Sequence, residues 1–273
     1  MEGKPKMTDA SLPEMSLMQL QRQLDAARAE LQDFTYAVSH DLRAPLRHIN
    51  AYAQVMVEDW PDMPAEMAAH LGTIRESARL LTSQLDGLTQ LSRLGLQSLN
   101  LQPVNVSALA QEVANELAAQ YPQQAVQWQL ATDVPLVLAD AALLRQVLVQ
   151  VLGNALKFSR GRTPAQISLN WHNAAAGRAE ASSREPGPEQ VSDRATCCIR
   201  IADNGAGFKP EQAQSLFKVF AKLHPPREFE GLGLGLVSSR KIIERLGGSI
   251  RIQGEVDAGC QVMICLPVAV VSS

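Results

Sequence analysis

The chain has 273 residues, 46% of them apolar and 19% charged, and carries a formal net charge of −3. At roughly 100–200 residues per domain this length predicts two domains, and the charge balance excludes a basic field suited to nucleic acid or an anionic membrane surface. No apolar run reaches the ~18 residues that span a bilayer; the longest, Val262 to Val271, is interrupted by Pro267.

Residues 1–16 hold glycine, prolines and scattered charge without periodicity and read as a loose tail. No signal-peptide pattern is present there, so a cytoplasmic setting is expected. From Leu17 a heptad appears, with Leu17, Leu24, Leu31 and Val38 at one position and Leu20, Ala27 and Phe34 at the other. It predicts a coiled coil running straight into the stretch Phe34-Thr-Tyr-Ala-Val-Ser-His40-Asp41-Leu-Arg-Ala-Pro45-Leu-Arg47. His40 lies two residues past Val38, off the apolar seam, so its ring is expected to face solvent. A neutral imidazole is a nitrogen nucleophile, and the adjacent Asp41 carboxylate can orient the ring and accept its proton. Pro45 is expected to bend the helix just beyond that site.

The Trp60-Pro61-Asp-Met-Pro64 stretch ends the first helix. A second amphipathic run follows in Met67, Leu71, Ile74, Ala78, Leu81, Leu85, Leu88 and Leu91. The resulting helical hairpin has an apolar face with nothing of its own to cover it. Two copies related by a two-fold axis would close it as a four-helix bundle, so a homodimer is expected.

Past Asn100 the pattern changes. Val104 and Val106 suggest a short strand, with Ser107 as N-cap of a helix to about Gln120. Strands are expected at 125–131, 135–139, 165–171 and 196–202, with a long helix between Asp140, its cap, and Lys157. A helix from about Leu234 to Leu246, ended by Gly247-Gly248, precedes a final hairpin at 249–254 and 260–266. The fold class is α+β: one mixed sheet covered by helices on one face. Residues 173–194 interrupt two strands with no apolar period and read as a disordered insertion. The domain plan is then a tail over 1–16, a helical domain over 17–98 and a sheet domain over 99–273. The four cysteines, Cys197, Cys198, Cys260 and Cys265, lack metal-ligand spacing and read as buried reduced thiols.

Three further segments follow His40 in the order a nucleotide site needs: Gln150-Val-Leu-Gly-Asn154-Ala-Leu-Lys157-Phe158, Asp203-Asn-Gly205-Ala-Gly207-Phe208 and Gly231-Leu-Gly233-Leu-Gly235-Leu236. Positions 150, 154 and 157 share one helical face. The last segment opens a helix, where free backbone N–H groups and the helix dipole favour phosphate. A dinucleotide-binding fold is rejected because no βαβ unit precedes it, and a P-loop because no Gly-Lys-Ser/Thr is present.

With these segments in hand, the chain from about residue 30 to 267 resembles the sensor histidine kinases of two-component signalling. The wording around His40, and that of Leu216-Phe-Lys-Val-Phe220-Ala-Lys-Leu-His224, is most similar to kinases with phytochrome or PAS-type sensors. The resemblance implies a helical-hairpin dimerisation domain followed by a Bergerat-type ATP-binding α/β sandwich. It implies that His40 is the phosphoacceptor and Asp41 its base or orienting partner. Asn154 would hold Mg²⁺, Lys157 the phosphate chain, and Phe158 would wall the base. Asp203 would accept a hydrogen bond from the adenine amine, with Gly205 and Gly207 letting backbone approach the ligand. Ala221 to Glu230 would be a lid, from which Lys222 reaches the phosphates held by Gly231, Gly233 and Gly235. Three departures stand out: Gln150 in place of an Asn, Leu232 in place of a small or hydroxyl residue, and Ala44. The last lacks the Thr or Asn side chain that positions a water for regulator dephosphorylation, which implies weak phosphatase activity.

The function so implied is ATP- and Mg²⁺-dependent autophosphorylation of His40, then transfer to an aspartate of a response-regulator receiver domain. About 33 residues precede the histidine helix core, too few for a sensor, so the input is expected from a partner or a region absent from this chain. Two other readings stay open: a non-catalytic dimeric scaffold or phosphotransfer module with a degenerate ATP domain, and another ATPase of the gyrase or chaperone class.

Overall fold

A helix begins at Leu17 and runs to Asp59 (α1) in the computed structural model, which describes residues 17–95, 97–174, 195–224 and 228–270. The expected tail, the insertion beyond Ala174 and the Pro225-Pro226 part of the expected lid lie outside the described residues. Pro45 sits inside α1 and does not end it. The chain forms two compact units, Met1–Ser92 and Arg93–Ser273.

The first unit is the hairpin of α1 and α2 (Ala65–Arg93). Its turn is closed by Met63 N–H donating to the Trp60 carbonyl at 3.2 Å, and Arg43 clasps Asp86 across the hairpin at 2.9 Å. The apolar run of α2 divides into two heptad rows. Leu71 and Ala78 are buried, whereas Met67, Ile74 and Leu81 are 42%, 44% and 48% exposed. On α1 the seam residues Leu20, Leu24, Leu31, Phe34 and Val38 are likewise exposed. One row closes the hairpin and the other is left bare, as a coiled-coil surface that wants a further partner is.

The second unit is built on a five-stranded sheet. Its strands are β2 (Val126–Leu130), β4 (Ala165–Ala174), β5 (Thr196–Asp203), β6 (Ser249–Glu255) and β7 (Gly259–Pro267), in the order β2-β4-β5-β7-β6. Only β2 and β4 run parallel, so the sheet is mixed as expected. The short strand at Gln102–Val104 (β1) does not join it; it pairs antiparallel with Val137–Ala139 (β3) as a separate ladder. Among the described residues three α-helices complete the unit: α3 (Val106–Gln120), α4 (Ala141–Phe158) and α5 (Gly235–Arg245), with a 3-10 helix over Pro210–Phe217.

Strand side chains alternate between faces. Ile167, Leu169, Ile199, Ile201, Ile264 and Leu266 are almost fully buried, while Gln166, Asn170, Arg200 and Arg251 on the opposite face are exposed. Against the apolar face lies α4, whose buried residues recur as adjacent pairs (Leu143-Leu144, Val147-Leu148, Val151-Leu152, Ala155-Leu156). Such pairing gives a broad stripe at helical period, wide enough to meet the sheet and neighbouring helices at once. Asp140 caps α4 through its Oδ1, which accepts from the Ala142 and Leu143 amides, both at 3.1 Å.

Two local expectations are corrected. The cap of α3 is Asn105, whose Oδ1 accepts from Ala108 N–H at 3.0 Å; Ser107 is already helical, and its hydroxyl instead accepts from Val134 N–H at 3.3 Å. Both residues are good caps, and the Val134 amide, 27 residues away in the chain, claims the serine hydroxyl. The cysteines also divide. Cys197 and Cys260 are free, but Cys198 and Cys265, directly opposed on β5 and β7, are joined in a disulfide. Spacing along the chain gives no sign of a pair separated by 67 residues that only strand register brings together.

Candidate functional site

His40 stands on the outer surface of α1, its side chain 69% exposed and that of Asp41 82% exposed. Nδ1 lies 3.2 Å from Asp41 Oδ1. An ionised carboxylate only accepts, so this contact assigns the proton to Nδ1 and leaves the Nε2 lone pair free toward solvent. Below the ring, Ser39 is buried and its hydroxyl donates to the Thr35 carbonyl at 2.7 Å.

The other expected site residues all lie in the second unit, where they converge on the C-terminal half of α4. Asp203 ends β5; its Oδ1 accepts from Gly205 N–H at 2.9 Å and Cys260 N–H at 3.2 Å. Burial pushes its pKa up to about 6, against the pull of those two donors. The loop after Asp203 is tied to the end of α4 by Ala206 N–H donating to the Phe158 carbonyl at 3.0 Å. Gly207 has φ +62°, and a Cβ there would lie 1.7 Å from the Glu255 carbonyl oxygen. Only glycine permits that crossing of backbones.

Phe158 anchors an aromatic cluster. Its ring centroid is 4.8 Å from that of Phe229 and 5.5 Å from that of His224. His224 also reaches back, its Nε2 3.1 Å from the Gly207 carbonyl. Lys157 Nζ sits 4.3 Å from the Phe158 centroid and donates to the Glu230 carbonyl at 3.2 Å. Its pKa is lowered, first by burial and next by the Arg160 guanidinium, with Lys222 adding a smaller effect in the same direction. Glu230 partly offsets this crowding of cations, since its carboxylate pairs with Arg160 at 3.0 Å and pulls the Lys157 pKa the other way.

The glycine-rich segment borders this cluster. Gly231 brings its backbone to within reach of Lys157, whose Nζ lies 3.6 Å from the position a Cβ would take. Gly233, at φ +72°, accepts from Phe220 N–H at 3.1 Å and lies so close that a Cβ would meet the Ala221 carbonyl oxygen at 2.6 Å. Gly235 begins α5 directly against the Gln150 side-chain amide. The N-cap of α5 is Leu234, whose side chain offers no cap, so the first amides of that helix keep their donors available. Asn154 follows Gln150 by one turn of α4 on the same face. Lys222 is exposed at the edge of the group. Phe217 and Phe220 are only half-buried; Phe217 lies under the Arg240 guanidinium at 5.1 Å.

Two residues make contacts that the sequence did not reveal. His224, known from the sequence only as the end of the Leu216–His224 motif, carries no helical or strand period to point to its partners. Arg162, in the charged run Ser159-Arg-Gly-Arg-Thr, looks like solvated surface. In the fold its guanidinium donates to the carbonyls of Asn204 at 2.9 Å, Gly205 at 3.3 Å and Asp257 at 2.8 Å. It thereby pins the loop after Asp203 to the β6–β7 turn. Arg162→Ala is expected to lower the unfolding temperature by a few degrees and to weaken nucleotide affinity several-fold, because three carbonyls lose a charged donor. Arg162→Lys, a single point charge without the fork, is expected to recover only part of the affinity in a titration calorimeter.

Comparison with known proteins adds two matches in tandem. Residues 30–97 match the His Kinase A (phospho-acceptor) domain, and residues 139–270 match the Histidine kinase-, DNA gyrase B-, and HSP90-like ATPase family. The chain is 25% identical over 245 residues to cyanobacterial phytochrome B of Nostoc sp., covering 89% of this chain and 30% of that protein. It is 28% identical over 246 residues to the methanogenesis regulatory histidine kinase FilI of Methanothrix harundinacea, covering 90% of this chain and 25% of that protein. The chain therefore spans less than a third of these relatives. The crystal structure of full-length ShkA in complex with AMPPNP superposes with a TM-score of 0.57 at 24% identity, over 88% of this chain and 47% of that one. At that identity the likeness is one of fold. Among the described residues, no helix is long and apolar enough to cross a membrane.

Proposed function

The chain belongs to the sensor histidine kinase family, and we propose that it transfers the γ-phosphoryl group of ATP to His40 and then to an aspartate of a response-regulator receiver domain. The observation that carries this reading is the state of His40: exposed, with Nδ1 held by Asp41 and Nε2 open, in a chain that also holds a carboxylate at Asp203 fixed by two backbone amides and a helix start without a side-chain cap.

Each group has a task that its chemistry suits. Asp203 Oδ1 is engaged by two backbone amides, which leaves Oδ2 to accept from the exocyclic amine of adenine. Phe158 supplies an apolar wall for the base. The amides of Gly233 and Gly235, with Lys157 and Lys222, face the phosphates. Magnesium, the implied metal, fits the donors present. Among the described residues no group of three or more His, Cys, Asp or Glu forms a cage. That suits an ion that keeps several waters and binds mainly through substrate phosphates. Asn154 would give it an amide oxygen, and it would neutralise charge on the triphosphate.

In the transfer, His40 Nε2 attacks the γ-phosphorus while the bond to the β,γ-bridging oxygen breaks and ADP leaves. The imidazolium charge that develops is shared through Nδ1–H with Asp41, which accepts the proton. The same exchange in reverse sense, from phosphohistidine nitrogen to a carboxylate oxygen, passes the group to the regulator. Catalysis is mostly positioning and charge stabilisation.

The test is incubation of the purified chain with γ-labelled ATP and Mg²⁺. Label that is acid-labile and base-stable is the expected result. Absence of both label and nucleotide affinity would favour the scaffold reading that Gln150 and Leu232 motivate. The bare rows of α1 and α2 further support a homodimer closing a four-helix bundle. Light scattering after size exclusion at micromolar concentration is expected to give twice the 29.6 kDa chain mass; a monomer would rule the dimer out.

A further inference from the structure

The sheet sorts its four thiols by face. Cys197 shares the helix-covered side of β5 with Ile199 and Ile201, and Cys260 shares that side of β7 with Val262. Burial pushes these two thiols up to about 11 and about 12, which keeps them protonated and unreactive. Cys198 and Cys265 point to the opposite side. They face each other directly in the β5–β7 register with Cα atoms 4.0 Å apart, the close spacing of a non-hydrogen-bonded antiparallel pair. The register alone brings the two sulfurs together across the ladder.

Their surroundings are cationic. Register sets His172 of β4 beside Cys198 on the same face, and sets Arg200 of β5 and Arg251 of β6 one pleat along, on either side of Met263. All three cationic or titratable side chains are exposed. Neighbouring positive charge favours the thiolate, the form that reacts. Access is unequal: Cys198 is buried, whereas Cys265 is half-exposed.

We propose that Cys198 and Cys265 form a reversible dithiol–disulfide site on the helix-free face of the sheet, closed by exchange with a low-molecular-weight disulfide of the glutathione class. The Cys265 thiolate attacks one sulfur of the small disulfide, forming a mixed disulfide and releasing one small thiolate. The Cys198 thiolate then attacks the Cys265 sulfur and expels the second. The two cysteine protons pass to the two departing thiolates, so the small disulfide is reduced to two thiols as the protein dithiol is oxidised. The closed bond ties β5 to β7, the strands whose far ends meet where Cys260 N–H donates to Asp203. The site stands apart from phosphoryl transfer and does not depend on that activity.

The experiment holds the full chain, purified under reductant, in defined mixtures of reduced and oxidised glutathione. Acid quenching, alkylation after unfolding and peptide mass analysis then read each thiol. Cys198 and Cys265 are expected to lose alkylation together as one intramolecular cross-link, restored by dithiothreitol, while Cys197 and Cys260 stay alkylated throughout. The oxidised protein is expected to unfold several degrees above the reduced one. That gap should vanish in Cys198→Ser and in Cys265→Ser. Both thiols still alkylated in excess oxidised glutathione, glutathione retained on Cys265 without a cross-link, or a bond between chains would each overturn the proposal.

Discussion

His40→Gln is expected to bring phosphoryl labelling down to background while leaving nucleotide affinity and unfolding temperature unchanged. Glutamine keeps a polar, exposed side chain on a helix surface, so the stability change should stay within about 0.5 kcal/mol. What it removes is the nucleophile, since an amide nitrogen has no available lone pair. Asp41→Asn separates the two roles of the pair. The ring keeps a hydrogen-bond partner but loses the group that takes its proton, and the labelling rate is expected to fall by roughly 10²–10⁴-fold. Rates are read by quenched-flow labelling at saturating Mg-ATP. Persistent label on His40→Gln would move the phosphoacceptor elsewhere. An unchanged rate in Asp41→Asn would remove the proposed role of the carboxylate.

Asp203→Asn is expected to weaken nucleotide affinity by roughly 10–100-fold, the cost of losing a charged acceptor for a buried donor. The amide oxygen can still accept from Gly205 and Cys260, but the NH₂ then meets the adenine amine donor to donor. The wild-type pH dependence follows from the same carboxyl, whose pKa is raised to about 6 by burial. As pH falls through 6 the proton settles on Oδ2, the oxygen not engaged by backbone amides, and affinity for the nucleotide declines. Stability moves the other way. A folded pKa above the unfolded one means that the neutral form is favoured in the fold. Its contribution is therefore full below about pH 4 and lost as pH rises through about 6, on the order of 3 kcal/mol. At pH 8, where the wild type carries the buried charge, Asp203→Asn should unfold no lower than the wild type. An affinity independent of pH between 5 and 8 would contradict this account, and a collapsed unfolding temperature would assign the residue a structural task instead.

Much of this molecule was legible in one dimension because helix and strand periods are local. The paired apolar residues of α4 and the alternation along β4 and β5 each report the face they bury, the heptad of α1 reports an apolar stripe that the single chain leaves bare, and Asp140 announces the start of α4. The position of His40 off the heptad seam foretold its exposure, since a helix converts two residues of offset into a different direction. The glycine segments were also legible, and backbone crossings by themselves demand Gly207 and Gly233. What escaped was set by contacts between segments far apart in the chain. Arg162 earns its place by reaching carbonyls 42 to 95 residues away, and His224 by meeting Gly207 and Phe158 at once. Cys198 and Cys265 become a pair through strand register, and Ser107 yields the cap of α3 to Asn105 because a distant amide at Val134 takes its hydroxyl. Period and capping signals are energies of neighbours along the helix or strand and so can be read from residue order, whereas these contacts exist only once the sheet has chosen which strands lie side by side.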